Sequence, residues 1–371
     1  MDRLQELLNH SLDRDTRNYS LPIFHLKALD KLGACRTSKL GGHAQYCEDG
    51  HLNGVWYNSC KHRFCPRCNQ INKERWIINS QRMLLNCPHH HIVFTIASEL
   101  NALWQYNRVL MSDLLFQCVK DTLKRFSKDS RYLNAMPGVV LALHTWGRDM
   151  SLHPHIHALV SHGGLNEQGV WVEPRKQHLF PQKPVMLVFR GLYLSRLKQL
   201  VREAKLNLPQ DQSVGATLNA LHRLYRKDWV VHFSDRYDHA RGVAKYLGRY
   251  IKGGPLKPQQ VVRVTDHVVK FQFRSHKTKR VESIELSREA FVRRLLEHVA
   301  LPGKPSLRYS GLYVSSVRER LNRAREQLNQ PPIGPKLELD WVVYLEKQNA
   351  LPVCRECGKF LTVKGSMEAL H

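Results

Sequence analysis

Residues 139–160 read VVLALHTWGRDMSLHPHIHALV. Two apolar runs rich in Val, Leu and Ile, 139–147 and 154–160, flank a short polar connection, which is the pattern of two paired β-strands. Gly163-Gly164 reads as the turn that follows them. Side chains on a strand alternate between faces. His155 and His157 therefore project together, while Ile156 points into the opposite layer. Two imidazoles on one face can hold a divalent ion from one side and leave its other side open. His144, on the preceding strand, is the candidate third ligand. His153 reads as a bystander, because Pro154 separates it from the strand. An ion with open positions that polarises a phosphate oxygen is what a metal-assisted nuclease requires. A His-x-His strand alone is a weak signal; the nearby His144 and the charge of the chain strengthen it.

Outward from this pair the pattern is mixed. HIVFTIA at 91–97 is a strand, and 260–273 reads as a hairpin turning near Asp266. Helical periodicity covers 70–86, 101–127, 183–206, 214–226, 287–299 and 315–329. Leu4, Leu7 and Leu8 share one helical face, and a second helical stretch, Ile23–Leu32, follows Pro22. The expected fold class is α+β, an antiparallel-sheet domain behind an N-terminal helical module. The expected division is 1–86, 87–300 and a basic C-terminal region 301–371.

The chain has 371 residues, with Lys plus Arg at 57 against Asp plus Glu at 32, a net charge of +25. That excess points to a polyanion, first of all nucleic acid. The longest uncharged stretch, Tyr132 to Gly147, is too short and too polar to span a bilayer. The opening MDRLQELLNHSLDRD is polar and amphipathic rather than a signal segment. The expectation is a cytoplasmic bacterial protein acting at the nucleoid, with no membrane partner.

Nine cysteines is an odd number, and five fall within 35–68 beside histidines, which favours metal ligation over disulfides. The ligand-capable set is Cys35, His43, Cys47, His51, Cys60, Cys65 and Cys68, with His62 evenly balanced between ligand and surface residue. Structural zinc takes four S or N ligands, and Cys65-x2-Cys68 lets a tight turn present two thiolates to one ion. The set suffices for one zinc and leaves open a second. Lys61, Arg63, Arg67 and Lys73 decorate the module, whose roles are scaffolding and contact with DNA. The tail pair Cys354-x2-Cys357 lacks evident partners. Cys87, Cys118 and His371 are the options, and the reading inclines to no metal there.

HARGVAKYLGRYIK at 239–252 reads as a helix stopped by Gly253-Gly254-Pro255. Tyr246 and Tyr250 lie four apart and share a face. Arg241, Lys245 and Arg249 form a cationic stripe on the same helix. Two tyrosines at this spacing usually pack a core. Beside cations and a metal they can instead attack a phosphodiester, giving a phosphotyrosine that conserves the bond energy. Further contacts with DNA fall to Arg274, Lys277, Lys279 and Arg280, and to Arg318, Arg320, Arg323 and Arg325, each group weighed against an ordinary solvated face. Trp146 and Phe271 can stack on bases, with core packing the commoner role for both.

The order SCKHRFCPRC (59–68), HIVFTIA, LHTWGRDMSLHPHIHALV (143–160) and AKYLGRYIKGG (244–254) resembles the rolling-circle transposases of the insertion sequence 91 family, within the HUH endonuclease superfamily. The resemblance runs from about residue 20 to about residue 315. It implies an HUH nuclease domain that nicks and rejoins single-stranded DNA, with His155 and His157 as paired ligands of Mg²⁺ or Mn²⁺ and Tyr246 and Tyr250 as nucleophiles. His144 stands where related relaxases keep a third histidine. Cys47-Glu-Asp-Gly-His51 departs from the more usual Cys-x2-Cys-Gly, so His51 stands as a substituted ligand. The implied partner is DNA, single-stranded or hairpin ends of an element. The rivals are a rolling-circle replication initiator or relaxase, a non-catalytic zinc-dependent regulator, and a ribosome-associated zinc protein.

Overall fold

The computed structural model describes residues 4–8, 21–65, 68, 70–234, 236–239, 242, 248, 254–275 and 278–367. In chain order the elements are α1 (Ile23–Gly33), β1 (Gly42–Tyr46), β2 (Leu52–Tyr57), α2 (Gln70–Met83), β3 (His89–Thr95), α3 (Asn101–Tyr106), α4 (Arg108–Lys128), β4 (Met136–Trp146), β5 (Leu152–Leu165), β6 (Trp171–Val172), α5 (Gln182–Arg202), α6 (Val214–Arg223) and β7 (Val231–Phe233). They continue with β8 (Val261–Val264), β9 (Val268–Arg274), β10 (Val281–Ser287), α7 (Arg288–Glu297), β11 (Leu307–Gly311), α8 (Arg318–Gln327), α9 (Trp341–Glu346) and β12 (Thr362–Met367). The fold is α+β, and the sheet pairings are antiparallel, as expected.

The central sheet runs β11-β4-β5-β3-β7, with β6 against the end of β5. Alternation divides its two faces. Ile92, Phe94, Val139, Leu141, Ile156, Ala158 and Val160 pack against Leu115 and Val119 of α4 and Phe189 and Leu197 of α5. Burying a side chain such as Ile156 or Phe94 stabilises the fold by about 2 kcal/mol. Val140, Ala142 and Leu159 turn the other way, toward Ile77 of α2, Leu84, Leu85 and Leu321 of α8. The parity of the strands sends His91, His144, His155 and His157 to this second face, opposite Ile156, as the alternation predicted.

Gly163-Gly164 is not a turn. Both lie inside β5, where a Cβ on Gly163 would stand 2.5 Å from the Trp171 ring and one on Gly164 2.5 Å from the Met136 carbonyl oxygen. These glycines permit close approach, and the chain reverses at 166–169, where Gly169 (φ +73°) donates to the Asn166 carbonyl. The helical stretch 101–127 is broken at Asn107, whose amide donates to the carbonyls of Leu103 and Asn207.

Packing crosses the boundaries expected at 86 and 300. Leu29, Cys35 and Phe64 share one apolar cluster with Phe271, Phe291 and Leu295. β11 completes the edge of the central sheet beside β4, and β12 pairs with β1 to make the small sheet β12-β1-β2.

Candidate metal centres and active site

His144 on β4 pairs across the strands with His155 on β5, and ring nitrogens of His144, His155 and His157 lie within 4.8 Å of one another. His155 Nε2 and His157 Nε2 are 3.1 Å apart. Adjacent ligands of an octahedral ion with bonds of about 2.1 Å are separated by about 3 Å, so this edge fits one divalent cation. The far nitrogens are tied down. His155 Nδ1 lies 2.6 Å from the His153 carbonyl oxygen, and His157 Nδ1 lies 2.8 Å from His91 Nε2. A carbonyl partner puts the proton on Nδ1 and leaves Nε2 a lone pair for metal. Burial holds His155 and His91 at a pKa of about 4. Burial, then the neighbouring His144, His155 and His91, holds His157 well below the ordinary imidazole value. The His91, His155 and His157 rings are therefore neutral near pH 7, the form in which imidazole coordinates metal.

His153 lies on β5 after all, with an exposed side chain. It stands outside the three-histidine group, but its carbonyl orients His155. The Trp146 ring stacks on His144 at 5.0 Å and 11°. His298 in turn packs edge-on to Trp146 and bridges Thr145 Oγ1 (3.1 Å) and the Met150 carbonyl (2.9 Å). Trp146 thus buttresses a histidine rather than joining an apolar core, whereas Phe271 is fully buried and packs the core. Sequence reasoning missed His91 and His298. The run His89-His90-His91 was the available signal for the first, but only strand register brings His91 to His157.

The sulfur ligands divide into two groups. Cys35, Cys60, Cys65 and Cys68 gather within 4.8 Å of one another. The Cys60–Cys68 and Cys35–Cys65 sulfurs lie 3.5 and 3.6 Å apart. Tetrahedral zinc with Zn–S bonds of about 2.3 Å sets sulfurs about 3.8 Å apart, close to both values. Hydrogen bonds from Cys60, Cys65 and Cys68 hold the Cys35 thiol far below its ordinary value, and the bond to Cys35 pushes Cys60 far up. Such crowded sulfurs resist ionising together until a cation neutralises them, which is the condition of a structural zinc site.

Cys47 and His51 do not join this group. They converge with Cys354 and Cys357, which gives the tail pair the partners that its sequence neighbourhood lacked. Cys87 and Cys118, the partners considered for the tail, are buried elsewhere, and His371 lies outside the described residues. His43 sits on β1 opposite Trp56 and Ser366 and belongs to neither ligand group among the described residues. His62 is likewise outside both, with Nδ1 accepting from the Phe64 amide at 3.3 Å.

Tyr246, Tyr250, Arg241, Lys245, Arg249 and Lys277 lie outside the described residues. Their flanks do not. Tyr237 exchanges backbone hydrogen bonds with His89, and its ring lies 6.3 Å from that of His91. Gly242 and Gly248 are helical. A Cβ on Gly248 would stand 2.5 Å from Ile77 Cδ1, so residue 248 abuts α2 on the histidine side of the sheet. Arg274, Lys279 and Arg280 are exposed at the β9–β10 connection. Arg148, from the connection between the histidine strands, donates to the Arg274 carbonyl at 3.1 Å. Three of the second arginine group are tethers: Arg318 donates to the Ile333 carbonyl, Arg323 to that of Gln168, and buried Arg325 to those of Leu84 and Pro331. That employment replaces the DNA clamp considered for Arg325.

A four-sulfur cluster beside the small β8–β10 sheet and a three-histidine group on the central sheet are both sets of metal-ligand type, and comparison with known proteins says which class of protein carries them. A family model described as "Transposase zinc-binding domain" matches residues 7–96, and one described as "Putative transposase" matches residues 138–320. The "Transposase for insertion sequence element IS801" of Pseudomonas savastanoi pv. phaseolicola is 30% identical over 337 residues, covering 85% of this chain and 76% of that protein. The "Putative transposase y4qJ" of Sinorhizobium fredii is 29% identical over 360 residues, covering 93% of this chain and 90% of that protein. The chain belongs to the insertion sequence 91 family of transposases. No solved structure matches it. Among the described residues no helix is long and apolar enough to cross a membrane.

Proposed function

We propose that this transposase nicks and rejoins single-stranded DNA by the HUH mechanism, with His144, His155 and His157 holding a divalent cation and Tyr246 and Tyr250 as nucleophiles. The observation that carries the reading is the convergence of three buried imidazoles on one sheet face. Mg²⁺ or Mn²⁺ bound there would polarise the scissile phosphate.

The chain's own residues carry the rest. A tyrosine oxygen forms a bond to phosphorus, the bond from phosphorus to the 3′ oxygen breaks, and that oxygen leaves as a hydroxyl after taking a proton. The 5′ phosphate stays on tyrosine. Attack by another 3′ hydroxyl reverses the step and joins strands. Two nucleophiles let one subunit hold two 5′ ends. Tyr237 beside His91, and Gly248 against Ile77, support this reading, since both of these described residues lie on the histidine side of the sheet. Arg148, Arg274, Lys279 and Arg280 would contact the DNA backbone, making binding steeply salt-dependent. Hairpin ends are the expected substrate, and the cytoplasm, at the nucleoid, the expected location.

The test is cleavage of a single-stranded terminus oligonucleotide with Mn²⁺. Tyr246→Phe with Tyr250→Phe is expected to abolish the covalent adduct while DNA binding survives; a persistent adduct refutes the tyrosine assignment.

A further inference from the structure

The zinc-binding family match ends at residue 96, and the tail cysteines lie far beyond it. We propose that Cys47, His51, Cys354 and Cys357 form a second structural zinc site, a clasp that fastens the end of the chain to the N-terminal module. Their ligand atoms lie within 4.8 Å of one another, with Cys354 Sγ 3.8 Å from His51 Nδ1. Three sulfurs and one imidazole nitrogen are a tetrahedral zinc set.

Two tight turns, one closing between residues 47 and 51 and a longer one between 354 and 359, supply the ligands. Gly50 (φ +85°) donates to the Cys47 carbonyl at 3.1 Å, and the Cys47 amide donates to the His51 carbonyl at 3.2 Å. Across from it Gly358 (φ +72°) donates to the Cys354 carbonyl at 2.9 Å, and the Cys354 amide donates to the Lys359 carbonyl at 2.8 Å. Each turn needs glycine at its left-handed position and presents two ligands from one side.

The surroundings hold the ligands in place. His51 Nε2 lies 3.5 Å from a Glu356 carboxylate oxygen, which leaves Nδ1 facing the sulfurs, the usual way an outer carboxylate orients a metal-binding imidazole. Asn53 Nδ2 donates to Cys354 Sγ at 3.1 Å, and Asn53 Oδ1 accepts from the Arg355 amide at 2.8 Å. Lys359 pairs with Asp49 across the two turns at 2.6 Å. Metal binding releases the three thiol protons to water and places three thiolates and a neutral imidazole on one Zn²⁺.

The clasp would add to polar anchors at this end, among them the Asn79 side chain on the Leu337 backbone and Arg318 and Arg325 on the Ile333 and Pro331 carbonyls. Residues 331–340 run as coil, mostly exposed, and among the described residues the apolar cluster at the junction is Cys47, Cys354 and Leu361. So small a contact cannot offset the ordering of about twenty residues at ~1.5 kcal/mol each, and β12 lies against β1 at the edge of a three-stranded sheet. Metal binding supplies folding free energy in such segments.

Full-length protein purified without chelator is expected to contain two zinc ions per chain by elemental mass spectrometry. Cys354→Ser with Cys357→Ser is expected to contain one, Cys47→Ser with His51→Ala one, and the four changes together still one. The zinc retained at the Cys35 group reports that these variants are folded. After proteolytic cleavage within 331–340, the tail should co-elute with the body of wild type and separate from the body of either variant. A measurement without variants uses cobalt: thiolate-to-metal absorption should correspond to seven thiolate ligands rather than four. Wild type with one zinc, tail variants that keep two, or a disulfide joining any of these three cysteines in protein prepared under reduction would each overturn the clasp.

Discussion

The Cys35 group and the histidine face both gather side chains of metal-ligand type, and they differ in how sequence becomes geometry. The sulfur group closes upon itself. Three of its ligands fall within nine residues, 60–68, and four thiolates fill a tetrahedron with no position for substrate. The histidine group offers three nitrogens and leaves the remaining positions of an ion for water or phosphate. Its ligands depend on the β4–β5 register, in which His144 faces His155, and on His91 from β3. Loss of the first centre removes a piece of the fold; loss of the second removes a function from a fold that stands.

The largest effect tests the first half of that contrast. Cys60→Ser with Cys65→Ser should abolish zinc at the Cys35 group and cooperative folding of the N-terminal module, since structural zinc contributes roughly 10 kcal/mol to a small metal-dependent domain. Thermal unfolding with zinc quantification checks it, and a variant with unaltered melting would make the centre dispensable. His155→Ala with His157→Ala sharpens the other half. Cleavage should fall by about 10³-fold, the worth of metal stabilisation of phosphate charge, while melting in metal-free buffer moves little. A variant that cuts as well as wild type would take both residues out of the site.

A smaller effect separates holding from orienting. His91→Leu should weaken the requirement-setting affinity for Mn²⁺ by about 10–100-fold, the usual cost of losing an outer-shell partner, with the rate at saturating Mn²⁺ nearly restored. His91→Gln, which keeps a polar partner for His157 Nδ1, should recover much of that affinity. Equal loss in both variants, not rescued by metal, would mean that His91 only packs.

The smallest effect concerns acid. Burial lowers His89 to about 4 from an ordinary value of 6.5, despite its bond to the Cys87 carbonyl. The unfolded chain then binds the proton more tightly than the folded one. Stability from this residue is complete above the unfolded value and is lost as pH falls from about 6.5 toward 4. His89→Gln should reduce the slope of unfolding free energy against pH by about 1.4 kcal/mol per unit in that window. An unchanged slope between pH 6.5 and 5 would place the titration elsewhere.

The same contrast explains what the sequence made legible. His155-Ile156-His157 carries its alternation in three letters, and Cys65-x2-Cys68 carries its turn in four. Cys354-x2-Cys357 was equally visible as a motif, but its partners stand about 300 residues away, and nothing local announces that β12 returns to β1. His43 was read by proximity in sequence, and the register of β1 pairs it with Trp56 and Ser366 instead of with the ligand groups. Gly163-Gly164 looked like a turn because glycine serves both turns and close approach, and only the Trp171 ring lying over the strand decides between them. Arg325 looked like a surface cation until its guanidinium was found on the carbonyls that end α2.

The most direct measurement is mass spectrometry of the protease-digested covalent product after reaction with a single-stranded terminus and Mn²⁺. The account predicts nucleotide attached through its 5′ phosphate to Tyr246 or Tyr250, and none in His155→Ala with His157→Ala. Nucleotide on any other residue, or strand cleavage with no protein-linked DNA at all, would contradict it.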